Sequence, residues 1–144
     1  MSAPGPLLVA MAGGRPRPRR FRAPVARESR LHTDVAHLLR DHCLADWRWT
    51  FISRKAMDAR EGAILRTMGV HRGWFDFELI SPAPMPHFLD VKRLGEDLSE
   101  EQEEFRDWCI ACGIPHAVAW TMDQVLWEFS RWGCLRIVIP NQGK

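Results

Sequence analysis

The sequence predicts a single domain of the mixed α/β class, with helices packed on the faces of a mixed β-sheet. Its 144 residues suffice for one hydrophobic core. Hydrophobic residues make up 46% and charged residues 26%, a balance typical of soluble globular domains. Helical and strand patterns alternate along the chain in the order α-β-α-β-β-α-β-α-β. This order favours a mixed sheet with helices on its faces.

Each element is predicted from its own apolar pattern. Helical spacing and candidate N-caps at Ser99 and Asp123 predict four helices, at about 28–44, 59–68, 99–112 and 123–132. Strand-forming residues predict five strands, at 47–52, 75–80, 87–92, 116–121 and 135–139. Three prolines between residues 81 and 86 place a turn there. The second and third strands should therefore pair as an antiparallel hairpin.

The N-terminal segment has a different composition from the rest of the chain. Residues 1–26 carry five prolines and bury too little apolar surface to offset their ordering entropy, so we expect a disordered basic arm before a domain at 27–140. The net charge is +6 for residues 1–30 and −4 for the remainder. The run Arg15 to Arg22 is either an electrostatic arm for phosphates or a solvated tail. No apolar run is long enough to cross a bilayer, which predicts a cytoplasmic protein without a membrane partner.

Three charged residues of the predicted hairpin form a candidate site. Asp90 and Lys92 lie two positions apart on one strand and so share a face, whereas Val91 points to the other face. Antiparallel pairing brings Asp76, at the start of the partner strand, next to them. Two carboxylates, with the Val91 carbonyl, would offer hard ligands for Mg²⁺, and Lys92 would face a phosphate. The alternative is a salt bridge across a hairpin, without further function.

Sequence motifs around these three residues cover most of the chain. The motifs are Leu31–Arg40, Trp47–Thr50, Gly62–Val70, Gly73–Phe77, Phe88–Arg93, Leu98–Gln102 and, more weakly, Gly113–Ala119 to Trp132–Gly133. In order and spacing these stretches resemble the VRR-NUC branch of the PD-(D/E)XK nuclease superfamily, over nearly all of residues 28–139. The resemblance implies a restriction-endonuclease-like fold and a Mg²⁺- or Mn²⁺-dependent nuclease that acts on DNA, often branched or flapped. It also implies a possible homodimer, as for small stand-alone relatives.

The resemblance also implies roles for individual residues. Asp76 matches the aspartate of the Pro-Asp pair, and Asp90 and Lys92 match the acidic-x-Lys positions. A further metal-binding acid on the first helix would be Glu28, with Asp34 as the second choice. Gln102 matches the glutamine of the Leu-Ser-x-x-Gln stretch and would help to hold the site or the backbone.

The sequence departs from the family pattern at three positions. Phe75 replaces a proline, Asp90 is one methylene shorter than the customary glutamate, and Phe51 replaces a histidine. The runner-up interpretation is therefore a DNA-binding protein that keeps the nuclease fold with weakened or lost catalysis.

Charge is segregated within the predicted domain. Residues 48–93 hold eight basic and five acidic groups, whereas residues 96–128 hold nine acidic groups and one basic group. We expect the first region to line a DNA groove through Arg54, Lys55, Arg60 and Arg66. The alternative is that these groups form ordinary solvated faces.

The cysteines and histidines suggest no further site. Cys109 and Cys112 lie three positions apart on a predicted helix, which favours packed thiols facing the core over a zinc or redox pair. A zinc-stabilised adaptor is the third function considered. The six histidines are expected on the surface or in packing positions.

Overall fold

The computed structural model describes residues 28–53 and 56–137, which form one domain: a four-stranded mixed sheet flanked by four helices. The mixed α/β class predicted from the sequence is confirmed. The predicted arm at 1–26, the cations Arg54 and Lys55 and the chain after residue 137 lie outside the described residues.

The four helices lie close to their predicted positions. They are α1 (Glu28–His42), α2 (Ala59–Thr67), α3 (Glu100–Cys112) and α4 (Met122–Trp132). Ser99 caps α3 in a capping box with Gln102. The prediction that Asp123 caps α4 is wrong, because the Thr121 side chain accepts the Gln124 N–H and takes that position. Asp123 lies instead in the first turn, where its charge complements the helix dipole.

The strands form the sheet in the order β1-β2-β3-β4. They are β1 (Arg48–Phe51), β2 (Phe77–Ile80), β3 (Pro86–Val91) and β4 (His116–Ala119). β2 pairs antiparallel with β1 and with β3, and Phe77 lies opposite Leu89. β3 and β4 are parallel, with α3 in the connection between them. The predicted hairpin at the centre of the sheet is confirmed.

The start of the predicted fifth strand, 135–139, does not join the sheet. Gly133 ends α4 in the left-handed conformation, with φ +74°. The chain then runs beside the end of α1, where Leu135 forms an isolated antiparallel bridge with Cys43 and the Arg136 N–H donates to the His42 carbonyl. The turn after Gly133 thus directs these residues to α1 rather than to a sheet strand.

The sheet is covered on both faces, and strand alternation divides β3 between the two layers. Leu89 and Val91 belong to a large core together with the buried faces of α1 and α4. Phe88 belongs to a smaller aromatic core with Phe75 and Phe105, on the side of α3. Asp90 follows Phe88 at a spacing of two and so lies on the α3 side. The end of β3 therefore places a buried carboxylate on the face that α3 covers.

The cysteine prediction holds for one residue of the pair. Cys109 is fully buried in the aromatic core, and this burial raises the pKa of its thiol to about 11. Cys112 is exposed, contrary to the prediction that both thiols face the core. Residues three positions apart on a helix point about 60° apart around its axis. Because Cys112 is also the last residue of α3, this rotation leaves its side chain in solvent.

Over the described ranges, no helix is long and apolar enough to span a membrane.

Candidate functional site

Two buried carboxylates lie side by side where the hairpin ends. Asp76 immediately precedes β2, and Asp90 is the penultimate residue of β3. Only 3% of Asp76 and none of Asp90 is exposed, although carboxylates rarely lie inside a protein without partners. The antiparallel register of β2 and β3 brings them together. Such burial must be offset by hydrogen bonds, by opposite charge or by a bound cation.

Asp76 is held in its ionised form by hydrogen bonds. Its Oδ2 accepts the backbone N–H of Val91 at 2.9 Å and lies 2.9 Å from Nε2 of His32. Burial alone would raise the pKa of Asp76, but the hydrogen bonds and the charge of His32 outweigh it and hold this pKa below its usual value. Asp76 is therefore a fixed negative charge at neutral pH.

Asp90 has the opposite electrostatic character. Its Oδ1 accepts a hydrogen bond from Nε2 of Gln102 at 3.2 Å, and its Oδ2 lies 3.2 Å from Nζ of Lys92. Burial and the negative charge of Asp76 raise the pKa of Asp90 to about 7, although Lys92 opposes this rise. Among the described residues, Oδ2 of Asp90 is a buried oxygen without a hydrogen-bond partner of good geometry. This oxygen faces positive charge from Lys92 and lacks a further donor.

A third acidic group approaches from α1. Glu28 is the first residue of α1, and its Oε1 lies 3.9 Å from Nε2 of His32. Glu28, His32 and Asp76 each offer one potential metal-ligand atom, and these three atoms lie within 4.8 Å of one another. In residues 28–53 and 56–137, this is the group of side chains that could hold a metal ion. Of the two acids considered on α1, Glu28 is the one in this set, and Asp34 is not.

His32 is the site residue that the sequence analysis missed. The sequence favours a surface or packing position for it, because His32, His37 and His42 follow one another at steps of five, which does not keep to one helix face. The informative spacing is instead with Glu28, four residues earlier on the same helix face. The His32 ring also packs against Phe51, with the ring centroids 5.0 Å apart. Phe51 stands where the family that the sequence resembles often has a histidine, and here its ring packs against the imidazole of His32.

Val91 is next to the site through its backbone. Its side chain is fully buried in the core shared by α1 and α4, and its N–H donates to Asp76. The role of its carbonyl as a metal ligand stays a prediction.

A cleft of about 570 Å³ lies near the candidate site, although Asp76, Asp90 and Lys92 are not among its lining residues. It lies between α2, the loop at 69–74 and the start of α3, and Gln102 belongs to its lining. Arg66 and Trp74 line it as well, as does Arg72, which was not among the predicted DNA contacts. Arg60 lies on α2 but outside this lining, so its contact with DNA stays a prediction.

One wall of the cleft depends on Gly73. Its φ is +89°, in the region that favours glycine, and a Cβ at this position would lie 2.4 Å from the backbone oxygen of Glu101. The loop at 69–74 therefore approaches the first turn of α3 more closely than any side chain would allow. This contact fixes Trp74 beside the aromatic core, where its ring lies 4.9 Å from that of Phe105.

The donor set is chemically suited to a divalent cation. Two carboxylates and one imidazole, from Glu28, Asp76 and His32, offer ligand atoms within 4.8 Å of one another. A third carboxylate, Asp90, lies beside Asp76 and has a buried oxygen without a hydrogen-bond partner among the described residues. Lys92 is partly accessible, with 12% of its side chain exposed. The arrangement can hold a cation and present one ammonium group to an anion beside it.

Comparison of the chain with models of protein families, with curated proteins and with solved structures finds no match.

Proposed function

We propose that this chain is a metal-dependent DNA nuclease of the restriction-endonuclease-like class, similar to the VRR-NUC branch. The observation that carries the proposal is the pair Asp76 and Asp90, buried together at the hairpin end with Lys92 at 3.2 Å from Asp90. A purely structural salt bridge on the surface would not need two adjacent buried carboxylates, because burying like charges is costly. The same constellation is what phosphodiester hydrolysis requires.

Asp76 and Asp90, with Glu28 from α1, would hold Mg²⁺ or Mn²⁺. The bound cation would supply Lewis acidity, lowering the pKa of a coordinated water and offsetting charge on the phosphate. His32 and the Val91 N–H orient Asp76, and Gln102 orients Asp90.

Lys92 has the position to neutralise the phosphate. Asp90 fixes its ammonium group at the sheet end, where an incoming anion meets a preorganised positive charge. In the hydrolysis, a water oxygen bonds to phosphorus, one P–O ester bond breaks, and the departing oxygen takes up a proton. Fixed charges at this point contribute because they need no reorganisation as the transition state forms.

The cleft meets the site at Gln102, which donates to Asp90, and would give the proposed substrate a path. Arg66 and Arg72 supply phosphate contacts, and the partly exposed ring of Trp74 offers a stacking surface for an unpaired base. Branched or flapped DNA, which combines phosphates with an unpaired base, would use both kinds of contact. A single site cuts one strand at a time, so paired cuts would require a homodimer.

The test is a cleavage assay with purified full-length chain on labelled flap, junction, single-stranded and duplex DNA, with Mg²⁺, Mn²⁺ or chelator. We expect metal-dependent cleavage that falls at least 100-fold in Asp76→Asn and Asp90→Asn, and clearly in Lys92→Ala. Asp107→Asn is the matched control, because Asp107 is an exposed carboxylate that contacts Arg106 on the surface. Equal cleavage by all four variants would disprove this site.

A second candidate function is DNA binding without catalysis. The complete burial of Asp90 and its shortness relative to glutamate favour it, because both limit access of a cation to that carboxylate. Binding of branched DNA by the wild type, with no cleavage under any metal condition, would select this function over the nuclease.

A further inference from the structure

We infer that His32 is a direct metal ligand, and that Glu28, His32 and Asp76 form a mixed nitrogen–oxygen site that prefers Mn²⁺ and related transition-metal ions over Mg²⁺. The inference deepens the proposed function, since it concerns the cation of the same site. It differs from the sequence expectation, in which all ligands are oxygen atoms and Mg²⁺ and Mn²⁺ are equivalent.

The geometry of the three side chains supports a shared cation. Glu28 and His32 lie four residues apart on α1 and so project from one face of the helix. Nε2 of His32 lies 2.9 Å from Oδ2 of Asp76 and 3.9 Å from Oε1 of Glu28. Ligands about 2.1 Å from one metal ion are separated by roughly 3 to 4 Å, which these distances match.

The imidazole is positioned by packing rather than by chance on a flexible surface. The ring of His32 packs against Phe51, at 5.0 Å, and Phe77, at 6.1 Å, measured between ring centroids. Its side chain is 18% exposed, and that of Glu28 is 21% exposed. The site is therefore preorganised on its protein side and still open to an ion from solvent.

A second observation points independently to a cation at this place. Asp90 is completely buried next to Asp76, and its Oδ2 has no hydrogen-bond partner among the described residues. Among the residues that the structure describes, the ion-pair partner of Asp90 is the Lys92 ammonium at 3.2 Å, and this single positive charge faces the two carboxylates Asp76 and Asp90. A divalent cation bound to Asp76 would balance the remaining negative charge.

The nitrogen donor determines which cation fits. Mg²⁺ takes oxygen ligands in an octahedral arrangement, whereas an imidazole nitrogen adds affinity for first-row transition-metal ions, strongly for Co²⁺ and Zn²⁺ and least for Mn²⁺. If His32 served only as a hydrogen-bond donor to Asp76, the nitrogen would not enter the coordination sphere and selectivity would follow the carboxylates alone. The two roles therefore give different metal preferences.

The decisive experiment measures Mn²⁺ binding to the full-length protein without DNA, by electron paramagnetic resonance, with Mg²⁺ as the competitor. We compare the wild type with His32→Gln, which keeps a hydrogen-bond donor for Asp76 but replaces the ring nitrogen with an amide. His37→Gln is the matched control, because His37 is exposed on the same helix. Thermal unfolding and circular dichroism confirm that each variant is folded.

We expect the wild type to bind Mn²⁺ at least tenfold more tightly than Mg²⁺, with pulsed spectra that show a coordinated ¹⁴N nucleus. His32→Gln should lose the nitrogen coupling and at least fivefold of the preference for Mn²⁺, whereas His37→Gln should keep both. An unchanged preference in His32→Gln, or Mn²⁺ bound without nitrogen coupling, would overturn the inference. So would the absence of Mn²⁺ binding to the wild type.

This readout separates the inference from the proposed function. DNA cleavage with Mg²⁺ that is equal in wild type and His32→Gln, together with unchanged Mn²⁺ spectra, would reject the metal-ligand role and leave the nuclease intact. Nitrogen-coordinated Mn²⁺ in a protein that cleaves no DNA would establish the metal site and reject the nuclease.

Discussion

Gln102 donates its Nε2–H to Oδ1 of Asp90 over 3.2 Å, while its own Oε1 accepts the backbone N–H of Ser99 at 3.1 Å. One amide side chain thus completes the capping box of α3 and orients a buried carboxylate of the sheet. The start of the helix and the candidate site are held in register by a single residue.

Replacing Gln102 with leucine should therefore affect two measurable properties. Loss of the cap should lower the free energy of unfolding by about 1 kcal/mol. Loss of the hydrogen bond should let Asp90 rotate, and we expect DNA cleavage to fall about tenfold, as for the removal of an orienting partner of a metal ligand. Denaturant unfolding and single-turnover cleavage measure the two effects.

Ser99→Ala is the control for this prediction. It removes the other half of the capping box, in which Ser99 Oγ accepts the Gln102 N–H, but leaves the Gln102 side chain available to Asp90. Its stability loss should be similar, with cleavage within threefold of the wild type. If both variants lose cleavage equally, the effect of Gln102 is only structural.

The stability of the protein should depend on pH through Asp90. Its pKa is about 7 in the folded protein and about 3.9 in an unfolded chain, so the folded state holds the extra proton between these values. The contribution of Asp90 to the free energy of unfolding is complete below pH 4, decreases as the pH rises, and is lost above pH 7. The pKa of Asp76 is lowered, so its own contribution changes only below pH 4.

Asp90→Asn should remove this dependence. In the presence of chelator, the unfolding free energy of the variant minus that of the wild type should increase by about 2 kcal/mol from pH 5 to pH 8. Urea unfolding at several pH values in that interval measures the difference. A constant difference across the interval would contradict the raised pKa.

Gly73→Ala should be strongly destabilising. The new Cβ would meet the Glu101 backbone oxygen at 2.4 Å at a φ of +89°, so the loop or α3 must shift. We expect a loss of about 2 to 4 kcal/mol in unfolding free energy, as for overpacking combined with backbone strain. Gly95→Ala provides the comparison, because Gly95 has a φ of +87° but no atom within 4 Å of its Cβ position. Equal losses in the two variants would mean that the close approach costs nothing.

The cleft should contribute to DNA binding through its cations. Arg66→Glu and Arg72→Glu should each weaken binding of branched DNA about tenfold at low salt and reduce the slope of log affinity against log salt by about 1. Arg131→Glu is the control, because Arg131 lies on α4 against Trp127, away from the residues that line the cleft. Fluorescence anisotropy over a salt series measures both quantities. If all three reversals have the same effect, DNA does not bind in the cleft.

The sequence predicted the local elements well because their signals are local. Alternation within β3 and the prolines of the connecting turn suffice to place Asp90 and Lys92 on one face and Asp76 beside them. The Thr121 cap was missed because Thr121 and Asp123 are both good capping residues, and the choice depends on where the preceding strand releases the chain. The course of residues 134–136 depends on their contacts with the distant end of α1.

The remaining site residues depend on contacts between distant elements. His32 reaches Asp76 across 44 positions, and the distance between them follows from the packing of α1 on the sheet, which no local pattern specifies. Trp74 and Arg72 line a cleft that exists only because the loop before β2 approaches α3. The positions of His32, Arg72 and Trp74 in the site and the cleft thus follow from tertiary packing and not from secondary-structure propensity.

The carboxylate pair lies where the two apolar layers of the sheet end, and each layer contributes its own support. α1 provides Glu28 and His32 from one side, and α3 provides Gln102 from the other. Substitutions inside either layer that shift its helix would therefore alter the same pair of oxygen positions. Two helices on opposite faces of the sheet therefore determine one pair of oxygen positions, although they share no core.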